Sequence, residues 1–503
     1  MGYYDHKFRL SQVLDDLSAR GLPVDHARQS ALRSHIETEE VRLLDQLQSL
    51  VPREVLNVKA YKGWPKDLRE SVKVAGLYVK NCKPVEFPQH VNEMGYEFDE
   101  SGLIKRLPFN PDSPKQVLAY LEHMQYPIPR HIDTKRPTTG QKEIESLILQ
   151  TDDEVLKTIA KAKKLTKLGG VYCGGDWVPG NDGRVHGRFR FGTSTGQTSC
   201  SGPNQQQFPS HYDPEDAWLV PIMEGIKECI RAEPGHVFVK FDAKGAHSMQ
   251  QAFLAEDADY YRLSNLGTHA FNTAHYIETP DRNELLALPD DQLSKRLKEI
   301  KKQYDWEYNF AKRVSFNMQY LGGAEKAAHT LRVPVMQVEA LMELIKGLFP
   351  KSFKEFPDKV RRRLKEHPRL ISQHKACRWI WDEDVQQAVA FSVANEFHCH
   401  WQLGLIRLYD RGLFEKYEAI NFCHDDIWFH PTEELADECI EVCRPELENV
   451  LFGWTMATTP LEAYRHECYL WHIKGGAYGR LVSSLHPVTP DEEAWASCPE
   501  CGT

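Results

Sequence analysis

The chain has no run approaching the roughly 18 consecutive apolar residues of a membrane helix. Its start, Met1-Gly2-Tyr3-Tyr4-Asp5-His6-Lys7, lacks a signal-peptide pattern. Both absences point to the cytoplasm. No internal repeat or low-complexity segment interrupts the sequence, which argues against solenoids and disordered tails. The twelve cysteines are scattered, mostly within apolar segments such as Phe397-His398-Cys399, so reduced buried thiols are expected rather than a disulfide framework. Cys498-Pro499-Glu500-Cys501-Gly502 looks like half of a zinc ribbon, but a closed site needs four ligands and no second C-x-x-C exists. That segment reads as an exposed tail. Net positive charge is also missing: the balance is −10, which disfavours a nucleic-acid partner unless positive charge is concentrated locally.

Such concentrations are present, at Lys157 to Lys167, at Lys295-Arg296 through Lys301-Lys302, and at Arg361-Arg362-Arg363. Solvated helix faces look alike, so the patches permit a polyanion without requiring one. At 503 residues, 41% apolar and 27% charged, the chain has ordinary globular composition and enough length for several subdomains. Aromatic residues are plentiful, with 11 Trp, 20 Tyr and 22 Phe.

Leu10, Val13, Leu14 and Leu17 keep helical spacing until Gly21-Leu22-Pro23, and a second helix is expected over about 25–50. Residues 51–106, rich in Lys, Pro and Gly, read as loops with short elements. Helices are expected from near Lys115 and after Pro137-Thr138-Thr139-Gly140, with a Lys-rich helix ending at Gly169-Gly170. Strand and loop patterns occupy 171–209, Val237–Asp242 reads as a strand and Ser248–Glu256 as a helix. Residues 284–400 read as mainly helical, with breaks at Gly322-Gly323, Pro334 and Pro350, and strands return around Asp425. A small sheet built from distant segments among many helices predicts an α+β fold.

Two segments carry the chemistry. Asn421-Phe422-Cys423-His424-Asp425-Asp426-Ile427-Trp428-Phe429 has two apolar arms meeting at an acidic tip, and Val237-Phe238-Val239-Lys240-Phe241-Asp242 ends on another aspartate. Two strand-end carboxylates suit a pair of divalent cations about 3.5–4 Å apart, an arrangement used for in-line phosphoryl transfer. Asp425-Asp426 alone reads more readily as a hairpin turn. Lys312, Phe316 and Tyr320 lie four apart, placing a cation and two aromatics on one helix face before Gly322-Gly323. That stripe suits a triphosphate and a stacked base, although such stripes are more often core. The loop Thr193-Ser194-Thr195-Gly196-Gln197-Thr198-Ser199 through Asn204-Gln205-Gln206-Gln207 is small and amide-rich, fit to follow a nucleic-acid backbone. His269, in Gly267-Thr268-His269, is placed to touch a phosphate or to serve as a structural histidine.

Taken in order, these segments resemble the polymerase module of family A DNA polymerases, the bacterial DNA polymerase I and phage replicase group. Asp242-Ala243-Lys244-Gly245-Ala246-His247 through Leu254 aligns without a gap with the family's D-Y-S-Q-I-E-L-R-x-x-A-H-L. Lys312, Phe316 and Tyr320 match K-x-x-x-F-x-x-x-Y-G, and His424-Asp425-Asp426 matches H-D-E. Thr193, Thr195, Gly196, Ser199, Pro203, Asn204, Gln206 and Pro209 match the loop motif T-x-T-G-R-x-S-S-x-x-P-N-x-Q-x-x-P. Phe109 to Gln116 and Pro137 to Gly140 look like the family's thumb, so the resemblance covers about residues 8–475.

What the resemblance implies is a right-hand fold with thumb, antiparallel palm sheet and mostly helical fingers. The expected divisions are 1–106 N-terminal helices and irregular segment, 107–170 thumb, 171–262 first palm part, 263–400 fingers, 401–486 second palm part and 487–503 tail. It implies template-directed addition of deoxynucleoside triphosphates to a primer 3′-OH. Two Mg²⁺ ions would be held by Asp242, Asp425 and the Ala243 carbonyl. Lys312, Arg313, His269, Phe316, Tyr320 and His247 would meet the nucleotide, and Thr193, Thr195, Gln197, Asn204, Gln206 and His424 the primer-template DNA. Only seven residues precede Phe8, so no proofreading exonuclease is expected within the chain; a separate exonuclease or processivity factor is a conceivable partner.

The sequence departs from the family in places. Gln197 replaces an Arg and carries no charge. His247 replaces the Glu that crowds a ribose 2′-OH, Leu321 stands where Gly is usual, and Tyr308 occupies a phosphate-binding Arg position. No Q-G-T-A-A-D match is found in 390–396. Three other readings compete: a single-subunit RNA polymerase, a catalytically inactive nucleic-acid-binding scaffold, and a two-metal nuclease. The bulk of His247 with Phe316 favours deoxyribonucleotides, both carboxylates are retained, and a nuclease would want more clustered acids.

Overall fold

In the computed structural model the described residues are 3–75, 83–100, 102–131, 134–209, 214–243, 245–371, 377–380 and 384–448, with the backbone of the strands Leu461–His466 and Arg480–Leu481. The Cys498/Cys501 pair, Lys244 and the tail 487–503 lie outside them. Two compact units are present, one of residues 33–170 and one combining 1–32 with 171–503. The first 32 residues therefore go with the sheet-bearing unit rather than with the segment that follows them.

In the 33–170 unit, the segment expected to be irregular forms a three-stranded antiparallel sheet. Strand Gly102–Arg106 lies between Val58–Tyr61 and Tyr96–Asp99. Its strands are four or five residues long and charge-rich, which hid the alternation that usually betrays a strand. The charges are accommodated on aromatic faces: Lys59 lies 5.1 Å from the Tyr61 ring centroid and Lys105 4.5 Å from that of Tyr96. Leu68, Val91, Tyr96 and Leu103 form the small core beneath. A helix follows at Pro114–His123, whose Ser113 hydroxyl accepts from the Gln116 N–H, as the Ser-Pro start predicts. The Lys-rich helix Glu154–Tyr172 spends much of its charge on neighbours, Lys157 on Asp152 and Glu154, Lys164 on Glu145, and Lys163 on the Thr139 carbonyl.

The larger unit is built on a five-stranded antiparallel sheet. Its strands are β1 (Phe238–Ala243), β2 (Ala419–Cys423), β3 (Asp426–Phe429), β4 (Leu461–His466) and β5 (Arg480–Leu481), in the spatial order β2-β3-β1-β4-β5. Val239, Phe241, Ile427 and Phe429 are fully buried. They face α1 (Tyr3–Arg20), which presents Leu10, Val13, Leu14 and Leu17 to the same core. β1 leads through Gly245, at φ +63, into α2 (Ala246–Leu254); the left-handed residue starts the helix two positions earlier than expected from Ser248. A second core joins the helices α3 (Thr268–Ile277), α4 (Asp305–Gln319) and Val335–Leu348. The helix Val385–Ala390 passes through a π-helical turn, Phe391–Asn395, into α5 (Glu396–Asp410), so the segment without a family match coincides with a helical irregularity. No helix among the described residues is long and apolar enough to cross a membrane.

Candidate active site

β2 and β3 form the expected hairpin, with a two-residue turn, His424-Asp425, between them. His424 has φ +56, a conformation that costs a non-glycine residue on the order of 1 kcal/mol and is retained most often where geometry serves function. Asp426 is the first residue of β3, directly opposite Asp242 on β1. The Ala243 N–H donates to the Asp425 carbonyl at 3.0 Å. Tight strand pairing thus gathers three carboxylates that are 183 or 184 positions apart in sequence from Asp242 to Asp425 or Asp426.

Their charges are unequally compensated. The Lys240 ammonium lies 2.6 Å from Asp426 Oδ2 and 3.8 Å from Asp242 Oδ2. Asp426 also accepts from the Trp428 indole N–H at 2.8 Å. Among the described residues Asp425 has no such ion pair or indole bond: burial pushes its carboxyl well above the usual range, and Asp242 and Asp426 add repulsion that Lys240 offsets only in part. Buried like charges of this kind are relieved by a divalent cation, and hard oxygen donors suit Mg²⁺ or a similar ion. Asp242, Asp425 and a backbone carbonyl beside them fit that need, with Asp426 held back by Lys240 and Trp428.

α4 supplies the facing wall. Lys312 feels the Asp242 charge, but its ammonium is weakened first by burial and then by Lys301 and Arg313. Arg313 is exposed. The His269 ring, from α3, lies 5.4 Å from the Phe316 ring and 6.2 Å from Tyr308. Burial and the nearby Lys312 and Lys301 lower its pKa to about 3, so it is neutral, and its Nδ1 has no hydrogen-bond partner among the described residues. Phe316 remains 40% exposed, unlike the core residue that its spacing also allowed. Tyr320 sits one residue past α4 and donates or accepts at His247 Nδ1 over 2.8 Å. The helix is ended not by the two glycines but by Leu321, at φ +53, with Asn317 bonded to the Gly322 carbonyl. Gln319 ties α4 to Ser248 and Tyr260 at 2.6 and 3.0 Å.

The amide-rich loop docks against the hairpin. Gln206 is buried and spends its amide N–H groups on Thr198 Oγ1 and the Phe422 carbonyl, at 2.7 and 2.9 Å. In this structure it anchors the loop rather than presenting itself to a groove, because the Gln205 and Gln206 carbonyls also accept from Asn421 and Cys423 of the same hairpin. Thr193 closes the loop on the Gln197 carbonyl at 2.8 Å. Thr193 is exposed, and Thr195, Gln197 and Asn204 are half-exposed. Sequence reasoning gave no role to Lys240, although a lone cation inside an apolar strand was a visible signal. It also passed over His398, which carries no local pattern.

The sequence pattern described as DNA polymerase family A matches residues 86–381. The chain belongs to DNA polymerase family A. It is 24% identical over 371 residues to the DNA polymerase of Escherichia phage T5, covering 66% of this chain and 41% of that protein. Identity to the thermostable DNA polymerase I of Thermus aquaticus is also 24%, over 43% of this chain and 24% of the relative. The chain spans less than half the length of either. Among solved structures, the POL domain of Pol1 from M. smegmatis, in complex with DNA primer-template and dNTP, superposes with a TM-score of 0.66 over 92% of this chain and 70% of that one, at 16% identity. That likeness shows the fold: the helix-rich α+β architecture of a family A polymerase, with β1–β5 as its palm sheet.

A second group of metal-ligating types, Glu233, His236 and His430, places its donor atoms within 4.8 Å of one another at the opposite end of the sheet. The His236 and His430 rings are stacked, 4.6 Å apart and 14° from parallel, so their in-plane lone pairs cannot converge on one ion. Both His430 nitrogens are engaged, with Glu418 at 2.7 Å and the Glu233 N–H at 3.1 Å. This group is structural.

Proposed function

We propose that the chain is a template-directed DNA polymerase that extends a primer 3′-OH with deoxynucleoside triphosphates. The observation that carries the reading is the under-compensated Asp242/Asp425 pair at the strand ends, facing Lys312 and Phe316 of α4 and Tyr320 just past its end. Two Mg²⁺ ions at those carboxylates would activate the primer hydroxyl and stabilise the pyrophosphate leaving group. Lys312 binds the triphosphate, and its lowered basicity comes from burial and a crowd of cations that an anionic ligand would relieve. Arg313 adds charge from the exposed side, and His269 donates a neutral N–H to a phosphate oxygen. Phe316 offers an exposed face for base stacking, with Tyr320 closing the nascent pair from the palm side. Asp426 holds Lys240 in place behind the two ligands.

Thr193, Thr195, Gln197, Asn204 and His424 are assigned to the primer-template, with Gln206 as the anchor of their loop. The M. smegmatis POL domain is in complex with DNA primer-template and dNTP, and that complex supports the same ligands for this chain. The thumb is assigned to 107–170, and the fingers to 263–400. His247 is the residue beside the incoming sugar, where its bulk disfavours a 2′-OH.

The test is extension of a labelled primer on a DNA template with Mg²⁺, comparing deoxy- with ribonucleotides and wild type with Asp425→Asn. Extension by deoxynucleotides that disappears in the variant supports the reading. Equal use of ribonucleotides makes the chain an RNA polymerase, and primer-template binding without extension makes it a scaffold.

A further inference from the structure

The helix Asp290–Gln303 buries Leu293, Leu297 and Ile300 along one stripe. Lys301 follows Leu297 by about one turn and is exposed, so it stands at the margin of that stripe. Its ammonium lies 5.1 Å from the centroid of the Tyr308 ring, in the first turn of α4. The Tyr308 ring is set against His269 at 6.2 Å, and His269 against Phe316 at 5.4 Å. The four side chains form a row, with a cation at one end and an exposed aromatic face at the other. Among the described residues Lys301 makes no ion pair, whereas Arg296 of the same helix is bound to Glu278 and Glu299.

The row follows the axis of α4. Tyr308, Lys312 and Phe316 are spaced by four residues, so each stands about 6 Å beyond the last along the helix. A nucleotide with its base on Phe316 and its phosphates at Lys312 therefore runs on toward Tyr308. Tyr308 brings no charge there: burial raises its pKa, with Asp305 acting in the same sense, and the phenol stays protonated. The positive charge at that end belongs to Lys301, whose field reaches both His269 and Lys312. Cations crowded about a neutral imidazole are relieved by an anion placed among them. His269 turns a buried Nδ1 with no hydrogen-bond partner among the described residues to the same place.

We infer that Lys301 is a triphosphate-binding residue: held over the Tyr308 ring, its ammonium contacts the terminal phosphate of the nucleotide whose base stacks on Phe316. The identity of the ligand rests on the proposed function; the row of side chains does not. The face of Tyr308 keeps the ammonium in place while leaving its N–H groups free to donate. The helix before α4 thereby returns a cation to the end of α4 where Tyr308 stands in place of an arginine.

Two measurements test it. In primer extension, Lys301→Met keeps the apolar stem and removes the charge; it should raise the KM for dNTP about tenfold and leave kcat within about threefold. Lys302→Met removes the same charge from the next, exposed position and should leave the KM unchanged. An unchanged KM in Lys301→Met, or an equal rise in Lys302→Met, overturns the inference, since the contact is then absent or is only a general field. In calorimetric titration with Mg²⁺, Lys301→Met should weaken dATP about tenfold and dADP by less than about threefold. An equal loss for both nucleotides overturns the terminal-phosphate contact. A wild-type chain that extends no primer would sink the proposed function and leave the titration to decide Lys301: weaker dATP binding by the variant supports the contact, and no difference from wild type overturns it.

Discussion

The two ends of the palm sheet are built from the same strands and are opposite in their electrostatics. At one end, Asp425 is pushed up by burial and by the neighbouring Asp242 and Asp426, with one lysine among three carboxylates. At the other, Glu418 is surrounded by partners: burial alone would raise it, but hydrogen bonds from His430 and Arg184 win and bring it down to about 2. Arg184 spans Glu418 and Glu233 at 2.6 and 2.8 Å. A fold that satisfies a half-buried carboxylate at one end has left a buried one under-compensated at the other, where the proposed divalent cation would bind. Strain kept at a site and compensated elsewhere is the expected signature of function.

The comparison breaks most visibly at Asp425. Asp425→Asn should reduce primer extension by about a thousandfold, because a metal-binding carboxylate is lost, while urea unfolding of the metal-free variant should show equal or greater stability at neutral pH. A less stable variant would mean that Asp425 is structural. Glu418→Gln should do the reverse, leaving the chemistry intact and lowering stability by on the order of 2–3 kcal/mol. Glu418 is depressed in the folded state, so its contribution is present above its unfolded value of 4.5 and is lost as pH falls toward about 2. The variant should lack that segment of the acid-unfolding profile.

A raised group has the opposite sign. Above the unfolded value of 3.8 the folded chain keeps a proton on Asp425 that the unfolded chain has released, so metal-free stability falls as pH rises through its raised folded value. Mg²⁺ must displace that proton, and its affinity, read by calorimetric titration, should climb by up to about tenfold per pH unit until the carboxyl is ionised. A flat profile would show that Asp425 is already charged. Trp428→Phe should have the smallest effect, about 1 kcal/mol of stability from the lost indole bond to Asp426, read by thermal melting.

Much of the site could be read from local pattern. Asp242 and Asp425 stand at the ends of short apolar, β-branched and aromatic runs, a composition that favours strands. The spacing of Lys312, Phe316 and Tyr320 is a helix face by arithmetic. The sheet at 58–106 was hidden because its strands are short and carry lysines, Lys59 and Lys105, that lie over the rings of Tyr61 and Tyr96. Gln206 read as a groove contact because its partner, the Phe422 carbonyl, is 216 positions away. The end of α4 was assigned to glycines, yet Leu321 takes the left-handed conformation, held by packing against neighbours that no local signal names.

The sequence by itself determined which residue types were available: the carboxylates, the cation and aromatics of α4, and an imidazole at 247 in place of a carboxylate. Tertiary structure alone decided their states. Charge and tautomer depend on burial and on partners within a few ångströms, and those partners come from strands and helices distant in sequence. Lys240 pairs with Asp426 and leaves Asp425 raised, because folding sets the distances over which Coulomb and hydrogen-bond energies act.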